Sequence, residues 1–594
     1  MDKISSQRMF AGFLSGAREV MNHKNILNKI NVFPVPDGDT GTNLFSTMNS
    51  ILRDAKYDDS VKNTLDSIAD SALKGARGNS GIIFAQYLYG LSLETMHEMS
   101  LSTQNFVAAN KKAVSYAYGA ITNPVEGTII TVIKEWAEAL HQLQQQSLGF
   151  VDLLGKAYIE LEKSVRQTTQ QLKILKQNGV VDSGAKAFAF FIKGFLDFIR
   201  SGKEDIALEE LQGIEDDPVL SSPEHLHMEL SHRYCTEAML EGETIDFDSL
   251  RQQSSSFGDS LILAGGQKKA RLHIHTDQPS KFFDTIALFG KITYQKIDDM
   301  KLQMEVAEKR KYDIALVTDS IADLPQSFID EEQIHVMPLN LLLDDINYLD
   351  RLSIRNEKVL DYIDQHPKLP TSSQPDYKSV ENLFSFLSTY YKAIVVVTVS
   401  SKLSGTHNVF TKLASDMKDK LPPVRIIDSR LNSGAQGLLV MKCAQYITEG
   451  NSLDEIEKKA EQDIAHAKIL VNVKNIDNMI KAGRLSTRGG KIAKVLHLKP
   501  IVSLDAEGKG TLGGIAFSFK QSKRKAVQVI KKTMKNKKIE SYSVVHAQNL
   551  EEAQGLAQEL EILIGKKPAF IEEISSITAT SAGRGALAVS FIAS

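Results

Sequence analysis

The spacing of apolar residues changes character along this chain, and that change limits the possible folds more than any single motif does. Up to about Ser201 apolar positions recur at helical intervals: Ile129, Ile133, Trp136 and Leu140 mark one buried face, and Phe106, Ala109, Ala113, Tyr116 and Ala120 mark another. Strand patterns hardly compete there, which predicts an all-α first domain. From roughly His225 to Glu305, short strand candidates such as Ser260–Ala264 and Ala270–His275 alternate with helical stretches, as in a small α/β domain. Beyond the charged stretch Glu308–Lys311, buried strands such as Ile314–Thr318 and Ala393–Thr398 alternate with helices, the pattern of a parallel α/β sheet. The chain has 594 residues, 42% of them hydrophobic, too many for one ordinary core. The expected division is a helical domain over 1–203, a linker over 204–224 containing the acidic, proline-marked segment Glu215–Pro223, a small α/β domain over 225–306 and a larger one over 311–594.

A formal charge of -3 argues against a nucleic-acid protein. The basic cluster Lys523, Arg524, Lys525, Lys531, Lys532, Lys535, Lys537 and Lys538 reads as a solvated helix face, with an acidic membrane surface or partner as the alternative. No signal peptide precedes the first helix and no apolar run approaches the ~20 residues needed to span a bilayer, so the expected location is the cytoplasm and not the membrane interior. Cys235 and Cys443 are the only cysteines, too few for a disulfide framework.

Chemistry concentrates in loops at helix starts. In the segment Asn31–Asn43, Asp37 and Asp39 flank Gly38 and can converge on a hard cation, while Thr42 and Asn43 suit phosphoryl oxygens. An isolated Asp-Gly-Asp is usually a surface turn. Here three further polar loops open helices: Gly75–Gly81 with Gly78, Asn79, Ser80 and Gly81; Asn123–Thr128; and Gly179–Ala185 with Asp182 and Gly184. Exposed amides at helix N-termini favour anions, so the set points to metal-bound nucleotide phosphate.

His273 and His275 lie two apart on a strand and so face one side, and Cys235 can join them from the preceding strand. Three ligands leave a fourth zinc position open, for which His232 is the candidate; the trio reads equally as a structural histidine pair beside a buried thiol. In the last domain, Thr318–Ser320, Val399–Thr406 and Ile427–Ser429 fall at strand ends, where α/β sheets bind ligands. Such hydroxyls are often helix caps. With Thr371–Pro375 and Gly483-Arg484 they form a set able to hold a carboxylate or phosphate by several hydroxyls and one guanidinium, and an acid is the natural ligand.

In order and spacing, the N-terminal loops resemble those of the nucleotide-binding domain of dihydroxyacetone kinases, the DhaL or Dak2 type, a helical barrel. The version Asn31–Asn43 resembles specifically the ATP-binding component of bacterial fatty acid kinase, as do Tyr234–Glu237 and His273–Thr276 in the middle domain. From about Lys311 to Ser594 the chain resembles the DegV family, whose lipid-binding members hold one fatty acid between two α/β subdomains. These resemblances imply a multidomain single-chain fatty acid kinase. Asp37 and Asp39 would bind Mg²⁺ with Asn31 completing the site; Thr42, Asn43, Ser80 and Gly81 would cradle ATP phosphates; Gly78, Asn79, Thr128, Asp182 and Gly184 would line the nucleotide. Ser372, Ser373, Ser400, Ser401, Ser404, Thr406, Ser581 and Arg484 would surround the fatty acid carboxylate, with Arg484 counted beside Asp37 and Asp39 as catalytic. The product would be an acyl phosphate, passed to an acceptor enzyme at the membrane; a homodimer stays open. Thr580–Ala586 departs from the DegV pattern Thr-His-Ala-Gly-Pro-Gly-Ala, with Ser581 in place of histidine and Arg584 in place of proline, which makes Arg584 the candidate to supply the missing charge. The alternatives are a non-catalytic, nucleotide-responsive lipid carrier and a small-molecule kinase of the dihydroxyacetone kinase type.

Overall fold

The structure, a computed structural model, describes residues 3–33, 38–203, 230–474, 476–483, 499 and 501–594. Asp37, Arg484 and the expected linker therefore lie outside the described residues. The chain forms two compact units, residues 1–278 with 285–301, and residues 279–284 with 302–594.

In the first unit, helices α1 (Ser6–Asn22), α2 (Lys24–Lys29), α3 (Thr40–Asp54), α4 (Val61–Gly75), α5 (Gly78–Leu93), α6 (Thr103–Ala120), α7 (Ile129–Gln144), α8 (Phe150–Gln171), α9 (Lys173–Asn178) and α10 (Ser183–Arg200) follow one another. Helix α5 is apolar on every side and is buried from Gly81 to Leu88, which makes it the central helix. Its neighbours are amphipathic. Helix α1 docks on α10 through Phe13, which meets Phe191 and Phe195 edge to face with ring centroids 5.5 and 5.3 Å apart. The helical pattern hid one detail: β1 (Lys3–Ser5) pairs with β2 (Ser100–Ser102), runs too short to show a period of two.

Four antiparallel strands complete this unit: β3 (Tyr234–Glu241), β4 (Gly258–Gly266), β5 (Lys269–Thr276) and β6 (Lys291–Asp299), in the order β4-β5-β3-β6. One sheet face packs on the helices, because Met239, Ile262 and Ala264 belong to the same buried cluster as the helical core. Ile121, after α6, bridges to Ile262, and Gln86 Oε1 on α5 accepts the Gly265 amide at 2.6 Å.

The second unit holds three sheets. Strands β7 (Ile314–Asp319), β8 (His335–Met337), β12 (Ala393–Thr398) and β13 (Val424–Asp428) form the expected parallel sheet, in the order β13-β12-β7-β8. Strands β9 (Asn340–Leu343), β10 (Ile346–Leu349) and β11 (Thr371–Ser373) form a small antiparallel one. The third sheet joins β14 (Ala467–Asn472), β15 (Ile501–Leu504), β16 (Gly510–Gly514), β17 (Ile539–His546), β18 (Phe570–Glu573) and β19 (Leu587–Ala593). Only β17 and β18 run parallel there, so the parallel reading of the sequence applies to the first sheet and not to this one. The helix Ser433–Thr448 contacts β7 and β12 on one side and β14, β17 and β19 on the other, which explains why it is apolar nearly all round. The basic cluster begins on the helix Phe519–Thr533, which buries Ala526, Val527 and Ile530 and turns Lys520, Arg524, Lys531 and Lys532 to solvent.

No helix among the described residues is long and apolar enough to cross a membrane.

Candidate functional site

Four helix starts converge in the first unit. A Cβ on Gly78, at the start of α5, would lie 2.5 Å from Asn43 Nδ2 on α3, and Gly78 itself takes a φ of 58°. A Cβ on Gly184, at the start of α10, would lie 2.7 Å from Ser80 Oγ and 3.1 Å from Ile129 Cβ, at the start of α7. Glycine keeps these backbones close enough for their N-termini to meet, and the positive ends of their macrodipoles make the centre attractive to an anion.

Side chains fix the loops. Asp182 caps α10 through the Ala185 amide at 2.8 Å and also takes the Ile129 and Gly184 amides. Burial pushes its pKa up to about 6 even against those three donors. Asn31 Oδ1 accepts from the Thr40 hydroxyl at 2.8 Å, and Asp39 Oδ2 accepts from Asn43 Nδ2 at 2.7 Å. Thr128 donates its hydroxyl to the Val125 carbonyl at 2.8 Å. Asn28, which sequence reasoning passed over, clamps Thr42: its Nδ2 donates to the Thr42 hydroxyl and its Oδ1 accepts the Thr42 amide, both at 3.0 Å.

The middle sheet turns its own polar cluster toward this region. Cys235 stands opposite His275, and Glu237 opposite His273, across the β3–β5 pair. Ligand atoms of Cys235, His273 and His275 lie within 4.8 Å of one another, with Cys235 Sγ 3.8 Å from His273 Nδ1. His232 is not part of the trio; its Nδ1 is paired with Asp277 at 2.9 Å. Burial holds the Cys235 thiol well above its ordinary pKa, and the carboxylates of Glu237, Asp298 and Asp39 act in the same direction. Glu237, also missed from sequence, accepts the Gly78 amide at 2.9 Å and the Arg271 guanidinium at 2.6 Å.

Two polar atoms test whether these residues suit guests. Asn79 Oδ1, beside the converging helix starts, and His273 Nε2 are buried without a hydrogen-bond partner. Buried polar groups are normally satisfied. A nucleotide at the loops and a divalent metal held by Cys235, His273 and His275 both fit this donor set.

In the second unit a cavity of about 250 Å³ is lined by the third sheet, by β11 of the second and by the segments that follow β7 and β12. Its walls are largely apolar, with Val399, Val471, Val502 and Ala588 among them, and Ser372, Ser373, Ser404 and Ser581 bring hydroxyls to its lining. Three other expected residues have different partners. Ser400 donates its hydroxyl to the Gly508 carbonyl at 2.8 Å, the Ser401 amide donates to Asp428 at 3.0 Å, and the Thr406 hydroxyl lies 2.8 Å from that of Ser404. Arg584, the candidate replacement charge, is engaged elsewhere: its Nε donates to Asp364 at 2.7 Å and its other nitrogens to Asp361 and Gln548.

Residues 34–197 match the model of the DAK2 domain, residues 231–307 that of the middle domain of FakA-like fatty acid kinase proteins, and residues 313–594 that of the uncharacterised DegV family. The helix-start site and the cavity thus sit in a DAK2-type helical domain and a DegV-family domain. With the middle domain, the chain is a FakA-like pair of domains fused to a DegV-family domain. An uncharacterized protein of Staphylococcus saprophyticus is 31% identical over 330 residues, covering 53% of this chain and 58% of that protein. One of Staphylococcus aureus is 30% identical over 325 residues, covering 52% of this chain and 59% of that protein. The chain therefore spans little more than half the length of these curated relatives. Among solved structures, DegV from Bacillus subtilis, described as a fatty acid binding protein, is 25% identical with a TM-score of 0.43, over 48% of this chain and 99% of that one. A DegV family protein from Thermus thermophilus, described by its fatty acid binding, is 22% identical with a TM-score of 0.44, over 47% of this chain and 99% of that one.

Proposed function

We propose that the protein is an ATP-dependent kinase that phosphorylates the carboxylate of a fatty acid held in its own DegV-type domain, giving an acyl phosphate. One observation carries the reading: a single polypeptide joins a phosphate-suited convergence of helix starts to a largely apolar cavity with hydroxyls in its lining. Tethering the two raises their effective concentration.

Bound magnesium nucleotide supplies the phosphoryl group and neutralises the charge that builds up on it. The chain's own residues have little covalent work to do. A fatty acid is already ionised at neutral pH, so its carboxylate oxygen forms the new bond to phosphorus as the bond to the nucleotide breaks, and no general base is needed. Asp39, with Asp37, provides carboxylates for the metal; Asn43, Ser80 and Gly81 provide amides and hydroxyls for phosphate, and Asn28 keeps Thr42 in place. At the cavity, Ser372, Ser373, Ser404 and Ser581 orient the head group, with Arg484 as the expected cation.

The test is direct. Lipid carried by the purified full chain is identified by native mass spectrometry, then MgATP and hydroxylamine are added. Acyl hydroxamate forming as the bound lipid disappears supports the kinase; lipid left unchanged beside bound nucleotide overturns it. That second result would favour a nucleotide-responsive lipid carrier, a reading supported by the lining itself, since the described lining residues include hydroxyls and amides but no cation.

A further inference from the structure

Glu237 touches both parts of the first unit's site. Its Oε1 accepts the Gly78 amide at 2.9 Å and lies 3.8 Å from His273 Nδ1, while its Oε2 accepts from Arg271 Nη2 at 2.6 Å. Glu237 and Arg271 are 2% and 1% exposed. Taking two charges out of water generally costs about as much as their attraction returns, so apolar side chains could join sheet to helices as well as this pair does. Its position points to another use. At the start of α5 the first amides have no partner within the helix. Glu237 takes the one at Gly78, which holds the turn with the next amides, those of Asn79, Ser80 and Gly81, left for an anion. Arg271 offsets the carboxylate that would otherwise repel that anion. The oxygen that holds Gly78 also lies beside the His273 ring, and such outer carboxylates orient metal-binding imidazoles.

We infer that Glu237 is a positioning residue that couples the Cys235–His273–His275 cluster to the α5 loop, so that a divalent metal on the cluster and nucleotide phosphate at the loop alter each other's affinity. The inference rests on the nucleotide reading above. A cation on the cluster draws on the same carboxylate that fixes Gly78, and the linkage is reciprocal.

The experiment uses the full chain, stripped with a chelator or reloaded with Zn²⁺, titrated with a non-hydrolysable ATP analogue and Mg²⁺. Wild type should show analogue affinities differing at least about fivefold between the two states. In Glu237→Gln, where the carboxamide oxygen can still accept the Gly78 amide, the difference should fall below about twofold, and zinc affinity should weaken by about tenfold. Gln86→Ala, which breaks another contact between α5 and the sheet, should lower the melting temperature yet keep the zinc dependence. Hydrogen exchange in wild type gives a measurement independent of variants: zinc alone should change protection of the peptide containing Gly78. Unaltered zinc dependence in Glu237→Gln, its equal loss in Gln86→Ala, or unchanged exchange at Gly78 overturns the coupling. A wild type that binds the analogue equally in both states overturns the coupling alone, whereas one that binds no analogue in either state overturns the nucleotide reading and the coupling with it.

Discussion

Glu237 and Asp319 are carboxylates with almost no exposure, one in each compact unit, and their surroundings push them in opposite directions. Burial opposes the charge on Glu237, but Arg271, with help from His273 and Lys296, more than offsets it and holds the carboxyl well below its usual range. Asp319 has no such cation. It accepts the Val399 amide at 2.7 Å, the Ile321 amide at 3.1 Å and Gln436 Nε2 at 3.2 Å, yet burial still pushes it up to about 6. Amides alone leave Asp319 raised, whereas the fully buried Arg271 guanidinium brings Glu237 below its ordinary range; the partly exposed Arg351 that pairs with Asp323 does not, and burial still raises Asp323 to about 6. Glu237 thus meets charge with charge, and Asp319 meets it with amides alone, near a cavity whose described lining is uncharged.

The largest effect that would sharpen this contrast is expected at Asp39. Asp39→Asn should lower ATP-driven hydroxamate formation by at least about a hundredfold, the scale on which lost charge stabilisation reduces turnover, while the lipid load stays constant. A lipid load that falls together with turnover would break the separation between the unit that handles charge and the unit that holds lipid. The reciprocal change is Ala588→Phe, which fills the cavity. It should cost about 1–3 kcal/mol by overpacking and remove bound lipid, with affinity for the nucleotide analogue unaltered.

A pH series tests the contrast more finely. Asp319 and Asp323, both raised to about 6 from an unfolded value near 3.8, bind protons more tightly when folded. The stability they withhold at neutral pH is therefore regained as pH falls through 6 toward 4. Glu237 has the opposite sign: its contribution is complete above its unfolded value of 4.5 and is lost only in stronger acid. Asp182 gives the first unit one carboxyl group of the raised kind, against Asp319, Asp323, Asp350, Asp463 and Glu572 in the other. Between pH 7 and pH 5 these carboxylates should favour the second unit over the first, while His275 in the first, lowered to about 3, and His335 in the second, lowered to about 4, withdraw stability from both. Trp136, the chain's one tryptophan and buried in the helical core, reports the first unit by fluorescence, and hydrogen exchange corrected for intrinsic rates reports the second. A pH response no different between the two units would mean that the buried carboxylates do not set it.

Much of this was legible in the sequence, for physical reasons. Helical spacing of apolar residues and runs such as Ala393–Thr398 report burial directly, and glycine with short polar residues at a helix start reports backbone geometry. Cys235, His273 and His275 could be placed on one face because a strand alternates strictly. Contacts distant in sequence were not legible. Glu237 stands two residues from Cys235 and shares its face, but nothing local shows that its partner is an amide 159 positions away. Asn28 could have been noticed three residues before Asn31, yet an asparagine in a short helix gives no sign of a clamp. The parallel pattern was read from Ile314–Thr318 and Ala393–Thr398, which do pair in parallel, whereas the mixed third sheet was not foreseen, because a strand buried on both faces looks the same in either direction.

Arg584 is where the smallest effect is expected and where the contrast between the units is easiest to break. The sequence suggested that it replaces a lost histidine charge at the head group, but its guanidinium is bound by Asp361 and Asp364 and its side chain is 35% exposed. A partly exposed pair network of this kind contributes about 0.2–1 kcal/mol, less in high salt. Arg584→Ala should therefore lower the melting temperature slightly, by an amount that shrinks as salt is added, and leave lipid load and turnover alone. A tenfold loss of turnover at constant lipid load would mean that the guanidinium leaves two carboxylates to serve the substrate. The head group would then rely on a guanidinium as Glu237 does.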